Sequence, residues 1–136
     1  MSRVYIYNLL RDDALSSAPE SLGQLGFEAD WVYAGDTDGP EGDRFLILRY
    51  GTATRGMGAV NRTNFVVWAY ERNKDHDFVA RVLKRVRDLL EGVEAARTEV
   101  GWITRIEWAG DGEDFYDDAY RAPGRNSGYQ LIDSGR

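Results

Sequence analysis

The carboxylates of two short acidic segments are the side chains of this sequence that could bind a metal ion or act in catalysis. The first has four carboxylates between positions 36 and 43. The second has five between 111 and 118, namely Asp111, Glu113, Asp114, Asp117 and Asp118. Converging carboxylates can bind a hard cation, and a pair of them can serve a glycosidase. Neither segment has EF-hand spacing, so we expect solvated acidic loops or a contact surface.

Histidine and cysteine could supply little chemistry, because the sequence has one histidine, His76, and no cysteine. A Ser–His–Asp site is formally available through Asp75 or Asp77, but no Gly-x-Ser-x-Gly segment is present to position a serine. The same two aspartates suit the cap of a helix that begins here. We therefore expect an exposed first-turn His76, no catalytic residue, no metal and no cofactor.

The glycine-rich segment 51–62 does not match a phosphate-binding loop. A P-loop ends in Gly-Lys-Ser/Thr, because the lysine reaches the phosphates and the hydroxyl reaches magnesium, and neither group stands at that place here. The sequence instead predicts a long, flexible loop that carries Arg55, Met57 and Arg62. Loops of this length are commonly functional, and we expect this one to order against a partner.

Charge is unevenly distributed along the 136 residues. The net charge is −6, which excludes a generally basic nucleic-acid binder, yet residues 49–90 alone carry +5 and leave −11 for the rest. One interpretation is two ordinary solvated surfaces. The other is a basic surface that meets an acidic surface on the next copy, which gives a ring where the rotation closes. The interface candidates are Arg55, Met57, Arg62, Arg81, Lys84, Arg85, Asp111, Glu113, Asp114, Asp117 and Asp118.

Apolar spacing predicts two main helices, at about 2–15 and 75–91. In the second helix, Phe78, Val82, Val86 and Leu89 recur at steps of four, four and three, which is typical of an amphipathic helix. The first is predicted from Ile6, Leu9 and Leu10 at helical spacing. A strand at 4–7 is its alternative.

Short runs of β-favouring residues predict strands at 31–34, 44–50, 63–70, 101–108 and 129–132, and 115–121 as a strand or part of a long hairpin. Residues 45–48 are apolar at every position, so both faces of that strand should be covered. Alternation in 101–108 should put Trp102, Thr104, Ile106 and Trp108 on one side. Residues 123–128 are predicted as a turn or loop, and 133–136 as a frayed end.

These elements predict an α+β fold with a mixed, mostly antiparallel sheet and both helices packed on one face. We expect a single domain over 1–136, since no Pro- or Ser-rich linker divides the chain. No apolar run is long enough for a membrane helix, and the start lacks the apolar core of a secretory signal. We therefore expect a soluble protein made in a reducing cytoplasm.

The layout resembles the tail terminator family of long-tailed, non-contractile bacteriophages, in the style of actinobacterial phages. The likeness covers most of the chain: an N-terminal helix, strands with a loop, Thr63–Tyr70 running into the amphipathic helix 77–90, and terminal strands. It rests on no signature motif, so no functional residue is carried over from the family.

The resemblance implies a virion protein, assembled in the host cytoplasm, that forms a hexameric ring at the head-proximal end of the tail. Such a ring stops polymerisation of the tail tube protein, offers a surface to the head–tail connector, and lets DNA pass as cargo without catalysis. The alternatives are another small head–tail connector or adaptor, or a carboxylate-based metal-dependent hydrolase built on residues 111–118.

Overall fold

The protein is built on a β-sheet with helices on one side. The computed structural model describes residues 3–27, 32–33, 43–55, 60–72, 76–98 and 101–135. These residues form, in chain order, α1 (Arg3–Ala14), β1 (Val32–Tyr33), β2 (Arg44–Arg55), β3 (Val60–Glu71), α2 (His76–Glu91), β4 (Glu94–Thr98), β5 (Gly101–Asp111), β6 (Phe115–Asp117) and β7 (Ala122–Gly135). Both main helices are confirmed within one residue at each end.

The sheet has the strand order β1-β2-β3-β7-β5-β4, and β6 pairs with the start of β7. The β1–β2 pair is parallel, whereas every other strand pair is antiparallel. The last strand, β7, lies in the middle of the sheet between β3 and β5. The predicted α+β class with a mixed, mostly antiparallel sheet is therefore confirmed.

The main hydrophobic core lies between the two helices and one face of the sheet. Helix α1 contributes Ile6 and Leu10, one turn apart, which confirms the helical interpretation of this segment. Of the predicted stripe of α2, Val82 and Val86 are buried, while Phe78 and Leu89 are half-buried against the core. The other buried side chains of this helix are Val79, Leu83 and Leu90. Leu46, Leu48, Phe65, Val67, Ile103, Ile106, Tyr129 and Leu131 meet them from the sheet.

A second, smaller core covers part of the opposite face of the sheet. Its fully buried members are Phe45, Ile47, Tyr70 and Ala122. Phe45 and Ile47 point away from the helices, while Leu46 and Leu48 point toward them. The prediction that both faces of this strand are covered is thus confirmed. The covering segment is residues 112–121, which we call the flap.

The turn after α1 is fastened to the sheet by Arg44. This guanidinium pairs with Glu71, which is buried, and it also donates to the carbonyl oxygens of Leu25 and Gly26 at 3.4 Å. Gly26 has φ +93°, a conformation that residues with a Cβ rarely adopt. A Cβ at this position would lie 2.0 Å from Nη1 of Arg44.

We expect Gly26→Ala to lower the free energy of unfolding by about 2 kcal/mol, because it adds backbone strain and displaces Arg44. Denaturant unfolding with far-UV circular dichroism measures this loss. Gly128→Ala is the control, since a Cβ there lies 3.7 Å from the nearest atom, an ordinary contact, and its φ is not in the left-handed region. An equal loss in both variants would contradict the role of Arg44.

The prediction of a long loop at 51–62 is wrong. Strand β2 continues to Arg55 and β3 begins at Val60, with Ala53 opposite Thr63 and Arg55 opposite Asn61. Small residues and glycine have low intrinsic strand preference, but pairing with β3, which β7 supports on its other side, overrides that preference. Met57 lies outside the described residues.

The predicted turn at 123–128 and frayed end at 133–136 are also wrong for the described residues, because β7 extends as far as Gly135; Arg136 lies outside the described residues. Gly124 is not a turn residue. A Cβ there would lie 2.9 Å from the ring of Tyr70 and 3.0 Å from that of Phe115. The glycine therefore gives two aromatic rings room to pack against the strand.

Strand β5 breaks the predicted alternation, and β4 was not predicted from the sequence at all. The β5–β7 register shifts between Ile103 and Arg105, and Ile103 and Ile106 both face the main core. Trp102 consequently lies on the opposite face from Ile106 and Trp108. A β-bulge of this kind inserts one residue and reverses the alternation beyond it.

Candidate functional site

Three predicted interface residues of α2 line one surface cleft. Arg81, Lys84 and Arg85 surround a space of about 100 Å³, which Glu20, Leu25 and Asp88 complete. The cleft holds three basic and two acidic side chains, so its charges largely compensate one another. Its individual contacts decide which of the cations can serve a partner.

Arg85 joins α2 to α1 through a bidentate ion pair with Asp13. The Nε–Oδ2 distance is 3.0 Å and the Nη2–Oδ1 distance is 2.7 Å. Asp13 is buried and also accepts the backbone N–H of Leu22 at 2.8 Å. The hydrogen bond from Arg85 to Asp13 raises the pKa of the guanidinium. Arg85 therefore serves the fold.

Lys84 and Arg81 remain at the protein surface. Lys84 pairs with Asp88 one turn later at 3.3 Å, and both side chains are more than half exposed. Arg81 is exposed and forms no ion pair with any residue that the structure describes. Arg87, farther along α2, lies over the ring of Trp108 at 4.2 Å and beside Glu91. The helix thus presents little uncompensated positive charge.

The acidic residues of the second cluster, 111–118, do not converge; we call this segment the acidic loop. Asp111 accepts hydrogen bonds from Trp108 and Ser127, and Asp117 accepts from the Tyr70 hydroxyl and the Tyr120 backbone. Asp117 thus ties the flap to Tyr70 beneath it, whereas Asp111 links β5 to β7. Burial and the Asp117 contact both raise the pKa of Tyr70.

The other three acids of this loop are exposed, as Asp111 is, whereas Asp117 is half-buried. Asp114 pairs with Arg125, and that hydrogen bond lowers the pKa of the carboxyl. Glu113 and Asp118 make no hydrogen bond or ion pair with a described residue. Within the described ranges, no three acidic or histidine side chains are grouped closely enough to hold a metal ion.

The remaining sequence candidates are dispersed. His76 is the first residue of α2 and is half-buried rather than exposed, and its Nε2 lies 3.1 Å from the carbonyl oxygen of Phe115. Of the first acidic segment, only Asp43 is described. Arg55 ends β2, whereas Arg62 lies on the sheet itself and donates to Gln130 at 2.9 Å.

Arg62 belongs to a polar surface that sequence reasoning did not identify. On the side of the sheet away from the helices, the flap covers the end near Tyr70. Register and pairing place Arg49, Arg62, Asn64, Trp102, Arg105 and Glu107 on that same side, beyond the flap. We call this area the open half-face. Alternation in β3, where Arg62, Asn64 and Val66 alternate with Thr63 and Phe65, was the signal that could have revealed it.

The six residues named above carry a net charge of +2, and exposed Glu94, opposite Arg105 in the β4–β5 register, reduces the charge of the open half-face to +1. Arg105 pairs with Glu107 at 3.0 Å, and Arg49 lies over the ring of Trp68 at 5.1 Å. Ile132 lies between Arg62 and Arg105 in the register and is only 4% exposed, as expected where long arginine stems flank an apolar residue. Trp102 is 47% exposed at the edge of this surface. The arrangement suits contact with an acidic surface.

Comparison with known proteins identifies no family. No protein-family model matches the chain, and no curated protein matches it significantly. No helix among the described residues is long and apolar enough to cross a membrane.

Proposed function

We propose that this protein is a structural component of a bacteriophage virion that forms a ring at the head-proximal end of the tail tube. In this role it ends polymerisation of the tube and offers the surface to which the head–tail connector attaches. Its partners are further copies of itself, six in a ring by the resemblance, the tail tube protein and the connector. It acts through shape and contact.

The observation that carries the proposal is the layout of the fold. The resemblance rests on an N-terminal helix, strands, a strand leading into an amphipathic helix, and terminal strands. The described chain has that order, with β3 preceding α2 and both helices on one face of a mixed sheet. The agreement extends over both helices and most strands, which supports the resemblance on which the proposal depends.

Charge gives the proposal further support. A ring needs two different surfaces on each copy that fit one another. Exposed Glu113 and Asp118 provide a negative surface, and the open half-face provides a positive one. DNA would pass such a ring without being held, since a net charge of −6 disfavours strong backbone binding.

The test is the state of the purified protein with and without tail tubes of the same phage. We expect native mass spectrometry to detect a closed oligomer, alone or on tubes, and electron microscopy to show density at one tube end. Adding the protein to growing tubes should stop their elongation. Strictly monomeric protein that also fails to bind tubes would refute the proposal. Binding to the connector alone, without self-association, would indicate an adaptor instead.

A further inference from the structure

We propose that the open half-face is the surface that receives the acidic loop of a second copy of this chain. This inference deepens the proposed function, because it names the two surfaces through which copies meet. It rests on the charges of the two surfaces, on the distance between the acidic loop and Arg62 within one chain, and on exposed Trp102 in β5.

The two surfaces are complementary in charge. Residues 111–125, which include the acidic loop, carry five carboxylates and two arginines, a net of −3. The open half-face carries +1, with Glu94 counted, in a chain whose total is −6. Opposite potentials of this kind accelerate association and orient the partners.

Distance prevents the acidic loop from reaching the Arg62 end of the half-face within one chain, although Arg49 lies near the flap through Trp68. Tyr70 lies beneath the flap, where its hydroxyl bonds Asp117, and Arg62 lies eight residues earlier in the same strand. Eight residues of strand span about 26 Å, at roughly 3.3 Å per residue. Charges so far apart are screened at physiological salt, where the Debye length is about 8 Å. The acidic loop of the same chain therefore does not neutralise Arg62, and a second copy can supply that loop.

Two features suit the half-face to a protein partner. Trp102 offers a large, exposed aromatic side chain beside polar groups, and aromatic residues are enriched in protein interfaces. The side chains of Asn64 and Gln130 approach one another at 3.4 Å and add hydrogen-bonding groups beside Arg62.

A nucleic acid is the less favoured occupant of this surface. Backbone binding depends on several cations that each neutralise a phosphate and release counterions. Here Glu107 already pairs with Arg105, and the rest of the chain repels a polyanion. The acidic loop, with two carboxylates free of described partners, matches the modest charge of the half-face better.

Three double variants of the full chain test the inference. The face variant combines Arg62→Glu and Arg105→Glu, and the loop variant combines Glu113→Lys and Asp118→Lys. The helix variant combines Arg81→Glu and Lys84→Glu as a matched control of equal charge change. Sedimentation velocity at low and high salt measures association, and thermal unfolding checks that each variant is folded.

We expect wild-type association to weaken as salt increases. The face and loop variants should each associate at least about tenfold more weakly than wild type. An equimolar mixture of those two variants should regain association, because each reversed surface then meets its complement. The helix variant should associate like wild type.

Several results would overturn the inference: wild-type protein that stays monomeric at high concentration, a mixture that does not regain association, or a helix variant as weak as the face variant. Loss of binding to a double-stranded DNA oligonucleotide in the face variant, with association unchanged, would assign the surface to nucleic acid. Tube capping is measured separately. Rescue in the mixture without capping would therefore contradict the proposed function alone, and capping without rescue would contradict this inference alone.

Discussion

Replacing Asp13 with alanine is expected to lower the free energy of unfolding by about 3 kcal/mol, although this residue lies in α1, on the side of the sheet opposite the open half-face. The change leaves the guanidinium of Arg85 partly buried without its carboxylate, and it leaves the Leu22 backbone N–H without an acceptor. Removing one partner of a buried ion pair costs about 3–5 kcal/mol. Since Arg85 is about one quarter exposed, we expect the lower end of that range.

Chemical denaturation followed by tryptophan fluorescence measures this effect, and Lys84→Ala is the matched control. Lys84 belongs to an ion pair of α2 that is exposed at both ends, and such pairs contribute about 0–1 kcal/mol. If both variants lose the same stability, the Asp13–Arg85 pair does not join the helices as described. Arg85→Met tests the same pair from the other side, and it should lose stability with little effect on self-association.

The same ion pair gives Arg85, a predicted interface candidate, a structural partner that the sequence does not indicate. Its position on the polar side of α2 is visible in the sequence, but its partner lies 72 residues away. Helical spacing specifies which residues share a face, whereas it does not specify what another element brings to that face. Arg62 shows the converse: the sequence predicts it in a loop, whereas it lies in β3, opposite Thr54 of β2 and Ile132 of β7.

The local spacing of apolar residues is sufficient to predict the two helices and the apolar centres of the strands. Helix α2 repeats its buried residues every three or four positions, and Phe45–Leu48 indicates coverage on both faces. The ends of β2, β3 and β7 were missed because they contain glycine and small or polar residues. Those segments are strands because their neighbours supply hydrogen-bond partners, and that pairing depends on residues distant in sequence.

The bulge in β5 is the least predictable of these features and one of the most consequential. Up to Ile103 the strand alternates as expected, and one inserted residue then moves Ile106 to the core face. Trp102 and Arg105 thereby come to lie together on the open half-face, on either side of the inserted residue. A strict two-residue period would place Trp102 and Arg105 on opposite faces, so it predicts no tryptophan beside Arg105 on the half-face.

Replacing Phe45 with alanine is expected to have the largest effect on stability, a loss of about 4 kcal/mol. Phe45 is completely buried at the centre of the second core. Its ring stacks on Tyr70 at 4.7 Å and meets the edge of Tyr120 at 5.4 Å, while Arg72 lies over it at 5.1 Å. Removing the ring opens a cavity directly beneath the flap.

The loss should be concentrated in the flap, because Phe45 lies beneath this segment in the second core, which holds it on the sheet together with the β6–β7 pairing and the contacts of His76 and Arg125. Hydrogen exchange measured by mass spectrometry should show faster exchange at 115–121, with the helices α1 and α2 less affected. Phe45→Leu keeps the site apolar but removes the ring contacts. It provides the same readout at a smaller total loss if the alanine variant does not fold.

Tyr116→Ala is the control for both variants. It lies in β6, within the flap, but its side chain is 59% exposed and belongs to neither core, so we expect a change within about 0.5 kcal/mol. If the Phe45 variants leave exchange at 115–121 unchanged, the flap is held by something other than the second core. If exchange does rise there, the aromatic rings of the second core form the base on which the flap, and with it most of the acidic loop, rests. Weakening that base should then weaken association of the chain with itself as well.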